Sequence, residues 1–523
     1  MHRRAYGELL EWKDSPDRKP LLLEGVRQCG KTFLLKEFGR KEFDSMVYVN
    51  FERVSSVGAL FEGDLDPEAI VRNLEIVQGR RIVPGRTLLI LDEIQGVPSA
   101  LTSLKYFAEE MPELHVACAG SLLGPITSKP NSFPVGKVDR IRLYPMDFLE
   151  FLYANDEGDL ARYIMDKGED DTVSQPIHDR LEPYLREYYL VGGMPAAVSS
   201  WVKNHNISAV TRILKNIVMD YRDDFSKHAG DELQNVIHVW NSISSQISRE
   251  NQKFMFGHAK PGARAKDLEK ALTWLIDAGL VYKVCCVESP AVPLSGVCMP
   301  THFKLYMADV GILRVMSGKG GEVMSAGTGD DHLFRGALAE NHVLCQMLSG
   351  GAERAFYWRR NGLEVDFLID GRDGPIPVEV KAETKVDAKS LMEYISDYRP
   401  GRAFVTSMRR GGGDACRMVP LYCSVMIPTY CGIGSISGQD VRTDVATGPY
   451  RRNFTAGDWT EDGSGHFLTI PRREHGIASP GTIQVFAREG DLFREVQVMK
   501  IVDLEGDVTL RSNRSFDGFV SIL

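Results

Sequence analysis

The sequence predicts an α/β fold that begins with a parallel sheet, and two observations carry this prediction. Four short apolar runs between residues 20 and 119 read PLLLE, MVYVNF, TLLIL and LHVACA. Such continuous runs are typical of strands that are buried on both faces of a parallel sheet. Segments with helical periodicity, at residues 31–38 and 100–110, lie between the runs. They supply the crossover connections that a parallel sheet requires.

Length and composition predict a multidomain cytoplasmic protein. The chain has 523 residues, which is too long for one hydrophobic core. Its formal net charge of -9 argues against indiscriminate coating of nucleic acid or anionic membranes, although one domain can still carry a local basic face. The nine cysteines form no CxxC pair, which favours a reducing compartment. No run approaches the roughly 18 apolar residues of a membrane span, and the first residues lack the apolar core of a signal peptide.

A glycine-rich loop follows the first apolar run. Residues 25–32 read GVRQCGKT and fit the pattern GxxxxGK[ST] between a strand and a helix. In that context the amides of the loop and of the helix N terminus face phosphate oxygens. We expect Lys31 to neutralise the β- and γ-phosphates and the Thr32 hydroxyl to ligate magnesium. The sequence therefore predicts an Mg·ATP site built from Gly25, Gln28, Gly30, Lys31, Thr32 and Phe33.

Two acidic residues end the third apolar run. The run LLIL places Asp92 and Glu93 at the carboxyl end of a buried strand. Asp92 is predicted to hold the metal ion through a water molecule, and Glu93 to activate the attacking water as a general base. Adjacent carboxylates are costly at a strand end unless a cation lies near them, which favours a functional role. Ser121, after the fourth run, is either a sensor of the γ-phosphate or a helix N-cap.

The middle of the chain is predicted to be helical and to end in a winged helix-turn-helix. The run LEKALTWLIDAGLVYKV has leucines on one helical stripe, then Gly279 as a C-cap, then a strand. Helix, glycine turn and strand in this order are typical of a winged helix. Arg264, Lys266 and Lys270 lie near its recognition helix. They either contact DNA phosphates or form an ordinary solvated face.

A second set of charged residues occurs in the C-terminal half. Asp366 lies in the strand LEVDFLI, and Glu379 and Lys381 lie two residues apart in PVEVK, so they face the same side of a strand. This D…ExK arrangement is what a PD-(D/E)xK nuclease fold needs: carboxylates bind magnesium, and the lysine stabilises charge at phosphorus. Glu340, on the preceding helix, is the further acidic ligand of this candidate nuclease site. The alternative is charge alternation on a half-exposed strand.

The last part of the chain changes in character. Short alternating strands between Gly, Asp and Asn turns predict a small all-β module. Trp459, His466 and His475 lie in it, and the two histidines have no accompanying carboxylate pattern that suggests metal binding. We expect a binding or oligomerising accessory.

Together these stretches resemble the bacterial and archaeal AAA-type ATPases of the STAND-like branch that carry a C-terminal domain of uncharacterised function. From residue 3 to residue 426 the likeness is carried by RKPLLLEGVRQCGKTFLLKEFG, LLILDEIQ, ACAGSLL, SFPVGKVDRIRLYPMDFLEFL, YYLVGGMPAAV, YRDDFSKH, KLYMADVGIL, GALAENHVL, YWRRNGLEVDFLI and IPVEVK. The resemblance implies that Pro195 of a GGxP element lies against the adenine. It also implies that Arg140 or Arg142 approaches the γ-phosphate, and that the C-terminal domain is related to the nuclease fold.

Three hypotheses about function follow from this organisation. The chain is an ATPase that processes DNA, or an ATP-gated switch whose nuclease-like domain binds only DNA or protein, or a scaffold that does not hydrolyse ATP. Glu93 disfavours the scaffold, because a pure binder does not need the catalytic carboxylate. The predicted parts are an AAA-type P-loop ATPase core (1–150), a helical lid (151–230), a winged helix (231–300), a restriction-endonuclease-like α/β domain (301–427) and the all-β module (428–523).

Overall fold

The structure of the chain is a computed structural model. The chain divides into two compact units, residues 1–440 and 441–523. No helix among the described residues is long and apolar enough to cross a bilayer. The structure describes residues 2–53, 55–120, 134–249, 252–320, 329–383, 388–412 and 416–434, and the strands between residues 450 and 522.

The N-terminal part is a five-stranded parallel sheet with helices around it, as predicted. Its elements are α1 (Ala5–Asp14), β1 (Leu21–Glu24), α2 (Lys31–Glu42), β2 (Ser45–Asn50), α3 (Pro67–Gln78), β3 (Thr87–Asp92), α4 (Pro98–Glu110), β4 (His115–Gly120) and β5 (Asp139–Arg142). The strand order is β2-β3-β4-β1-β5, and all neighbours are parallel. Every residue of β3 and β4 is buried, which explains their apolar sequences. The carboxyl ends of β1 and β3 therefore share one edge, with β4 between them.

Five helices follow the first sheet. They are α5 (Phe148–Ala154), α6 (Gly158–Met165), α7 (Gln175–Val191), α8 (Pro195–Asn204) and α9 (Ile207–His228). The longest, α9, buries Val210, Leu214, Ile217, Tyr221 and Phe225, a spacing of three or four residues that gives one buried face. The turn of residues 192–194 joins α7 to α8.

The next segment has three helices before a strand pair. Its elements are α10 (Leu233–Ile247), α11 (Phe256–Ala259), α12 (Ala265–Asp277), β6 (Val281–Val287), α13 (Leu294–Val297), β7 (Met299–Met307) and α14 (Val310–Met316). The strands β6 and β7 are antiparallel. The leucines of α12 are buried, and Arg264, Lys266 and Lys270 are exposed.

A seven-stranded mixed sheet forms the C-terminal half of this unit. Its further elements are α15 (Gly329–Ser349), β8 (Phe356–Arg360), β9 (Leu363–Gly371), β10 (Gly374–Val380), α16 (Lys389–Tyr398), β11 (Phe404–Ser407), β12 (Arg417–Pro420) and α17 (Ile427–Tyr430). The order is β12-β11-β10-β9-β8-β6-β7, and β6 pairs in parallel with β8. The predicted boundary at residue 300 thus falls inside β7, within a continuous sheet. The sequence patterns predicted β6, β9 and β10 but not their partners, because strand pairing is not local.

Buried polar side chains join the two halves of this unit. The carbonyl oxygen of the Gln346 side chain, on α15, accepts a hydrogen bond of 3.0 Å from the backbone of Phe148 on α5. Arg4 donates to the backbone oxygen of Ser349, at the end of α15, over 2.9 Å. His342 is fully buried, with its Nε2 atom 3.1 Å from the carbonyl oxygen of Leu421. These contacts explain why residues 1–440 form one unit.

The second unit contains two antiparallel sheets. Its strands are β13 (Tyr450–Phe454), β14 (Thr460–Asp462), β15 (Gly465–Ile470), β16 (Ile483–Glu489), β17 (Leu492–Glu495), β18 (Met499–Val502), β19 (Val508–Ser512) and β20 (Gly518–Ile522). The strand orders are β13-β20-β16-β17 and β14-β15-β19-β18. Trp459 packs in the core with Phe454. His466 lies in β15, and His475 lies outside the described residues.

The buried His342 predicts acid sensitivity of the larger unit. Burial lowers the pKa of His342 to about 4, whereas an unfolded histidine titrates near 6.5. The unfolded chain therefore gains the proton first, and stability falls as the pH drops from about 6.5 towards 4. Between pH 7 and pH 5 this costs about 2 kcal/mol. In His342→Gln, the free energy of unfolding measured with urea should fall between pH 7 and pH 5 by about 2 kcal/mol less than in the parent. Equal losses in both proteins would mean that His342 already protonates in the folded state.

Candidate functional site

The loop between β1 and α2 has the geometry of a phosphate cradle. Gly30 is the N-cap of α2 and has a φ of 99°, a left-handed conformation that favours glycine. A Cβ atom on Gly25 would lie 2.2 Å from the carbonyl oxygen of Leu143, so only glycine fits there. The α2 helix starts at Lys31, and its free amide groups face the loop. The predicted strand, loop and helix are all present.

Lys31 lies inside this loop. Its side chain is only 7% exposed, and its ammonium group donates to the carbonyl oxygens of Gly25 at 2.7 Å and Val26 at 3.0 Å. The loop's own carbonyls thus satisfy a buried positive charge. An anion that enters the cradle meets this ammonium group at once.

Asp92 and Thr32 meet at the shared edge of the sheet. The Thr32 hydroxyl donates to the Oδ2 atom of Asp92 over 2.9 Å. The same oxygen accepts from the Tyr48 hydroxyl at 2.7 Å, and the Asn50 amide lies 3.4 Å away. Burial and the hydrogen bond to Asp92 raise the pKa of Tyr48 to about 12, so the phenol keeps its proton and donates. Hydroxyl and carboxylate oxygens at this separation suit Mg²⁺.

Sequence reasoning missed Tyr48 and Asn50, although the sequence holds a signal for them. In MVYVNF the valines are buried, while Tyr48 and Asn50 alternate with them and face the other side of β2. Polar residues on an otherwise apolar strand, next to the strand of Asp92, mark the supporting contacts of that carboxylate.

Glu93 follows Asp92 in a left-handed conformation, with φ 54° and ψ 42°. This conformation is rare for a residue with a side chain and is found preferentially at functional sites. The Gln95 amide donates to the Glu93 carboxylate. Burial raises the pKa of Glu93, the Gln95 hydrogen bond opposes this rise, and the charge of Asp92 adds to it. Glu93 is therefore a stronger base than an ordinary glutamate.

The other predicted nucleotide contacts surround the loop to different extents. The Phe33 ring, two residues into α2, is 56% exposed. The Pro195 ring lies 3.6 Å from the position that a Cβ atom on Gly30 would occupy. Arg140 pairs with Glu24 at 3.2 Å, and the guanidinium of Arg142 lies over the rings of tyrosines 144 and 282. Ser121 lies outside the described residues.

One face of α9 contacts the apex of the phosphate loop. Sequence reasoning did not predict these contacts. Asp224 forms an ion pair of 2.5 Å with Arg27, and Asp220 accepts a hydrogen bond of 2.7 Å from Gln28. Between them, the Tyr221 hydroxyl donates to the backbone oxygen of Arg27 over 3.0 Å. The signal was the spacing: positions 220, 221 and 224 lie on one helical face, and two of them are carboxylates.

The four residues of the candidate nuclease site lie in one cluster around β9 and β10. Asp366 accepts a hydrogen bond of 2.7 Å from the amide of Val380, and Glu379 pairs with Lys381 at 2.7 Å. Glu379 is 4% exposed, and its second carboxylate oxygen has no hydrogen-bond partner among the described residues. Burial raises the pKa of Asp366 well above its usual range, and the charges of Glu379 and Glu340 add to this rise.

Glu340, the further acidic residue of the candidate nuclease site, accepts hydrogen bonds from neighbouring side chains. Its two oxygens accept hydrogen bonds from Gln252 at 2.9 Å and from the Tyr306 hydroxyl at 2.8 Å. The ammonium group of Lys304, which is 3% exposed, lies 3.9 Å from Glu340 and 2.7 Å from Glu364. In the part of the chain that the structure describes, no group of three or more His, Cys, Asp or Glu is arranged to hold a metal ion. Hydrogen-bond donors and an ammonium group of the protein therefore already occupy the carboxylate oxygens of Glu340.

Comparisons with known families identify three segments of the chain. Residues 17–152 match the family model described as an AAA domain. Residues 182–322 and 335–421 match two models described as domains of unknown function, DUF8612 and DUF4143. A search of curated proteins found no match.

Three of the solved structures that match the chain are archaeal proteins. One is the Walker-type ATPase PABY2304 of Pyrococcus abyssi, with a TM-score of 0.37, 14% identity, and coverage of 60% of this chain and 95% of that one. Cdc6p from Pyrobaculum aerophilum has a TM-score of 0.26, 13% identity, and coverage of 61% and 92%. The STAND protein PH0952 of Pyrococcus horikoshii, with a tetratricopeptide repeat sensor, has a TM-score of 0.23, 13% identity, and coverage of 67% and 45%.

The AAA match and the geometry of the site agree with each other. The match contains the loop, Lys31, Thr32, Asp92 and Glu93, which the structure brings to one edge of a parallel sheet. The N-terminal part of the chain is therefore a P-loop ATPase domain of the AAA type. The TM-scores are below 0.5, so this identification rests on the family model and the site.

The hydrogen bond from Tyr48 to Asp92 should strengthen the affinity of the site for Mg²⁺ in the presence of a nucleotide. Tyr48→Phe removes one hydrogen bond to Asp92 and leaves the ring in place. We expect the Mg²⁺ concentration at half-saturation to rise about tenfold, since contacts that orient a ligand matter this much for metal affinity. Titration calorimetry with Mg²⁺ and a non-hydrolysable ATP analogue measures it. Asn50→Ala, which removes only the 3.4 Å contact, should shift the midpoint less. Identical midpoints in the three proteins would contradict this role for Tyr48.

Proposed function

We propose that the chain binds Mg·ATP at its N-terminal loop, hydrolyses it, and couples the nucleotide state to its C-terminal half. One observation carries the proposal: Thr32 and Asp92 meet at 2.9 Å beside a loop that already encloses the Lys31 ammonium group. These residues lie 60 positions apart in sequence and come together only through the strand order of the sheet.

Each residue of the site would contact a different part of Mg·ATP. The oxygens of Thr32 and Asp92 would hold Mg²⁺, which when bound neutralises charge on the β- and γ-phosphates. Lys31 would exchange the carbonyls of Gly25 and Val26 for phosphate oxygens, so its positive charge stays satisfied in both states. The loop amides orient the phosphates without moving.

Glu93 is the proposed general base. It accepts a proton from the attacking water as the bond to the γ-phosphate breaks, and the products are ADP and phosphate. Its raised pKa suits this role, because a base closer to neutrality takes the proton more readily. Ser121 is the proposed sensor of the γ-phosphate.

Coupling to the rest of the chain would run through the helices that touch the loop. Phe33, Gln28 and Pro195 surround it, and we propose that Pro195 lies against the adenine. If nucleotide moves the apex of the loop, the α9 contacts to Arg27 and Gln28 would differ in strength between the empty and the occupied loop. Coupling requires such a difference in contacts between two states.

Two substitutions test the ATPase assignment. Lys31→Ala should lower hydrolysis by at least about a hundredfold, because it removes the ammonium group that meets the phosphates. Glu93→Gln keeps the size of the side chain but removes the base, so it should retain binding of a fluorescent ATP analogue and lose turnover. Phosphate release and fluorescence titration measure the two quantities. Normal turnover in either variant would refute the corresponding role.

A second candidate function concerns the cluster of Asp366, Glu379 and Lys381. We propose cation-dependent cleavage of DNA there, with the basic face of α12 holding the duplex. The free oxygen of the buried Glu379 favours this function, because a buried carboxylate oxygen without a donor is costly and suits a cation. The alternative is that this domain binds only DNA, protein or a second copy of the chain.

Plasmid and branched DNA with Mg²⁺ or Mn²⁺ test this candidate. Cleavage should be lost in Asp366→Ala. In Glu340→Gln it should persist within about tenfold, because Gln252, Tyr306 and Lys304 already occupy Glu340. Gel electrophoresis measures the products. The absence of cleavage with either metal would retire the nuclease and leave the binding alternative.

A further inference from the structure

Asp309 lies where the C-terminal half of the chain contacts the turn of residues 192–194. It lies between β7 and α14, caps α14, and is only 3% exposed. One carboxylate oxygen accepts from the amide of Ile312 at 2.9 Å. The other accepts from the amide of Gly193, in the turn between α7 and α8, at 2.6 Å. A single side chain therefore caps one helix and holds a distant turn.

The turn has almost no freedom at this contact. A Cβ atom on Gly192 would lie 2.4 Å from the Asp309 carboxylate, and one on Gly193 would lie 2.0 Å from the carbonyl oxygen of Met146. The amide of Met146 donates back to Gly193 over 2.7 Å. Both glycines are thus required by close approach, and the turn is fixed between Asp309 and Met146.

The same turn reaches the phosphate loop. Pro195 comes two residues after Gly193, and its ring lies 3.6 Å from the Cβ position of Gly30. Burial raises the pKa of Asp309 to about 6, while the amides of Gly193, Ile312 and Gly311 lower it. The carboxylate is therefore kept in a buried place by donors that include the turn itself.

We propose that Asp309 is a positioning residue for the nucleotide site: it holds the turn of residues 193–195 against the phosphate loop. Nucleotide affinity then depends on a carboxylate supplied by the C-terminal half of the chain. This inference rests on the proposed nucleotide binding. By linkage, nucleotide must in turn stabilise the start of α14, because coupling between two sites is reciprocal.

Asp309→Asn separates the two roles of this side chain. The remaining oxygen can still cap α14, but the new amide group faces the Gly193 amide, donor against donor. We expect the Kd for a fluorescent Mg·ATP analogue to rise about tenfold, with kcat at saturation within about twofold of the parent. Asp66→Asn is the matched control, since Asp66 also caps a helix by accepting from two backbone amides, and α3 contributes no residue to the loop or to the turn of residues 193–195. It should leave Kd unchanged.

Several outcomes would overturn the inference. Equal Kd values for Asp309→Asn and Asp66→Asn, with a lower melting temperature only in the former, would reduce Asp309 to a structural role. Should Asp309→Asn fail to fold, hydrogen exchange on the parent decides: the analogue must slow exchange at Gly193, Gly311 and Ile312, and unchanged rates refute the coupling. If the parent binds no nucleotide at all, the proposed function fails first, and that result is distinct from the others.

Discussion

The hydrogen bond between Thr32 and Asp92 is the contact on which the rest of the ATPase site depends. It joins the start of α2 to the end of β3, although β4 lies between the strands that carry them. Only a parallel sheet places both strand ends at one edge, and only the buried apolar runs make that sheet stable. Tyr48 and Asn50, from β2, approach the same carboxylate oxygen, so side chains from β2 and from the start of α2 converge on the residue that ends β3.

A buried network of charges ties this site to the remainder of the larger unit. Arg3 donates to the backbone oxygens of Cys29, in the phosphate loop, and Tyr144, and pairs with Glu150 at 3.0 Å. Arg4 pairs with Asp147 and reaches Ser349 at the end of α15. Buried charges are costly unless all partners are in place, so the network favours one arrangement of the halves. A displacement of the phosphate loop would therefore also disturb the contacts of Arg3.

The two polar clusters of the chain use charge in different ways. In the ATPase site, Lys31 is held by carbonyl oxygens that can be exchanged for phosphate oxygens. Around Glu340, the buried Lys304 already provides the positive charge: burial lowers its pKa, but the charges of Glu340, Glu364 and Asp366 outweigh that effect and raise it. The cation binding proposed for this second cluster would therefore lie on the side of Asp366 and Glu379.

The sequence by itself determined the sheet, the loop and the positions of Lys31, Asp92 and Glu93 in them, because these follow from local apolar runs and from residues adjacent in the chain. It also placed Glu379 and Lys381 on one face, since strand alternation fixes which side chains of a strand point the same way. Only the tertiary structure decided the seven-stranded sheet across residue 300, the engagement of Glu340 by its neighbours, and the contacts of α9 and Asp309. These depend on pairings between residues far apart in sequence, and local periodicity contains no information about such partners.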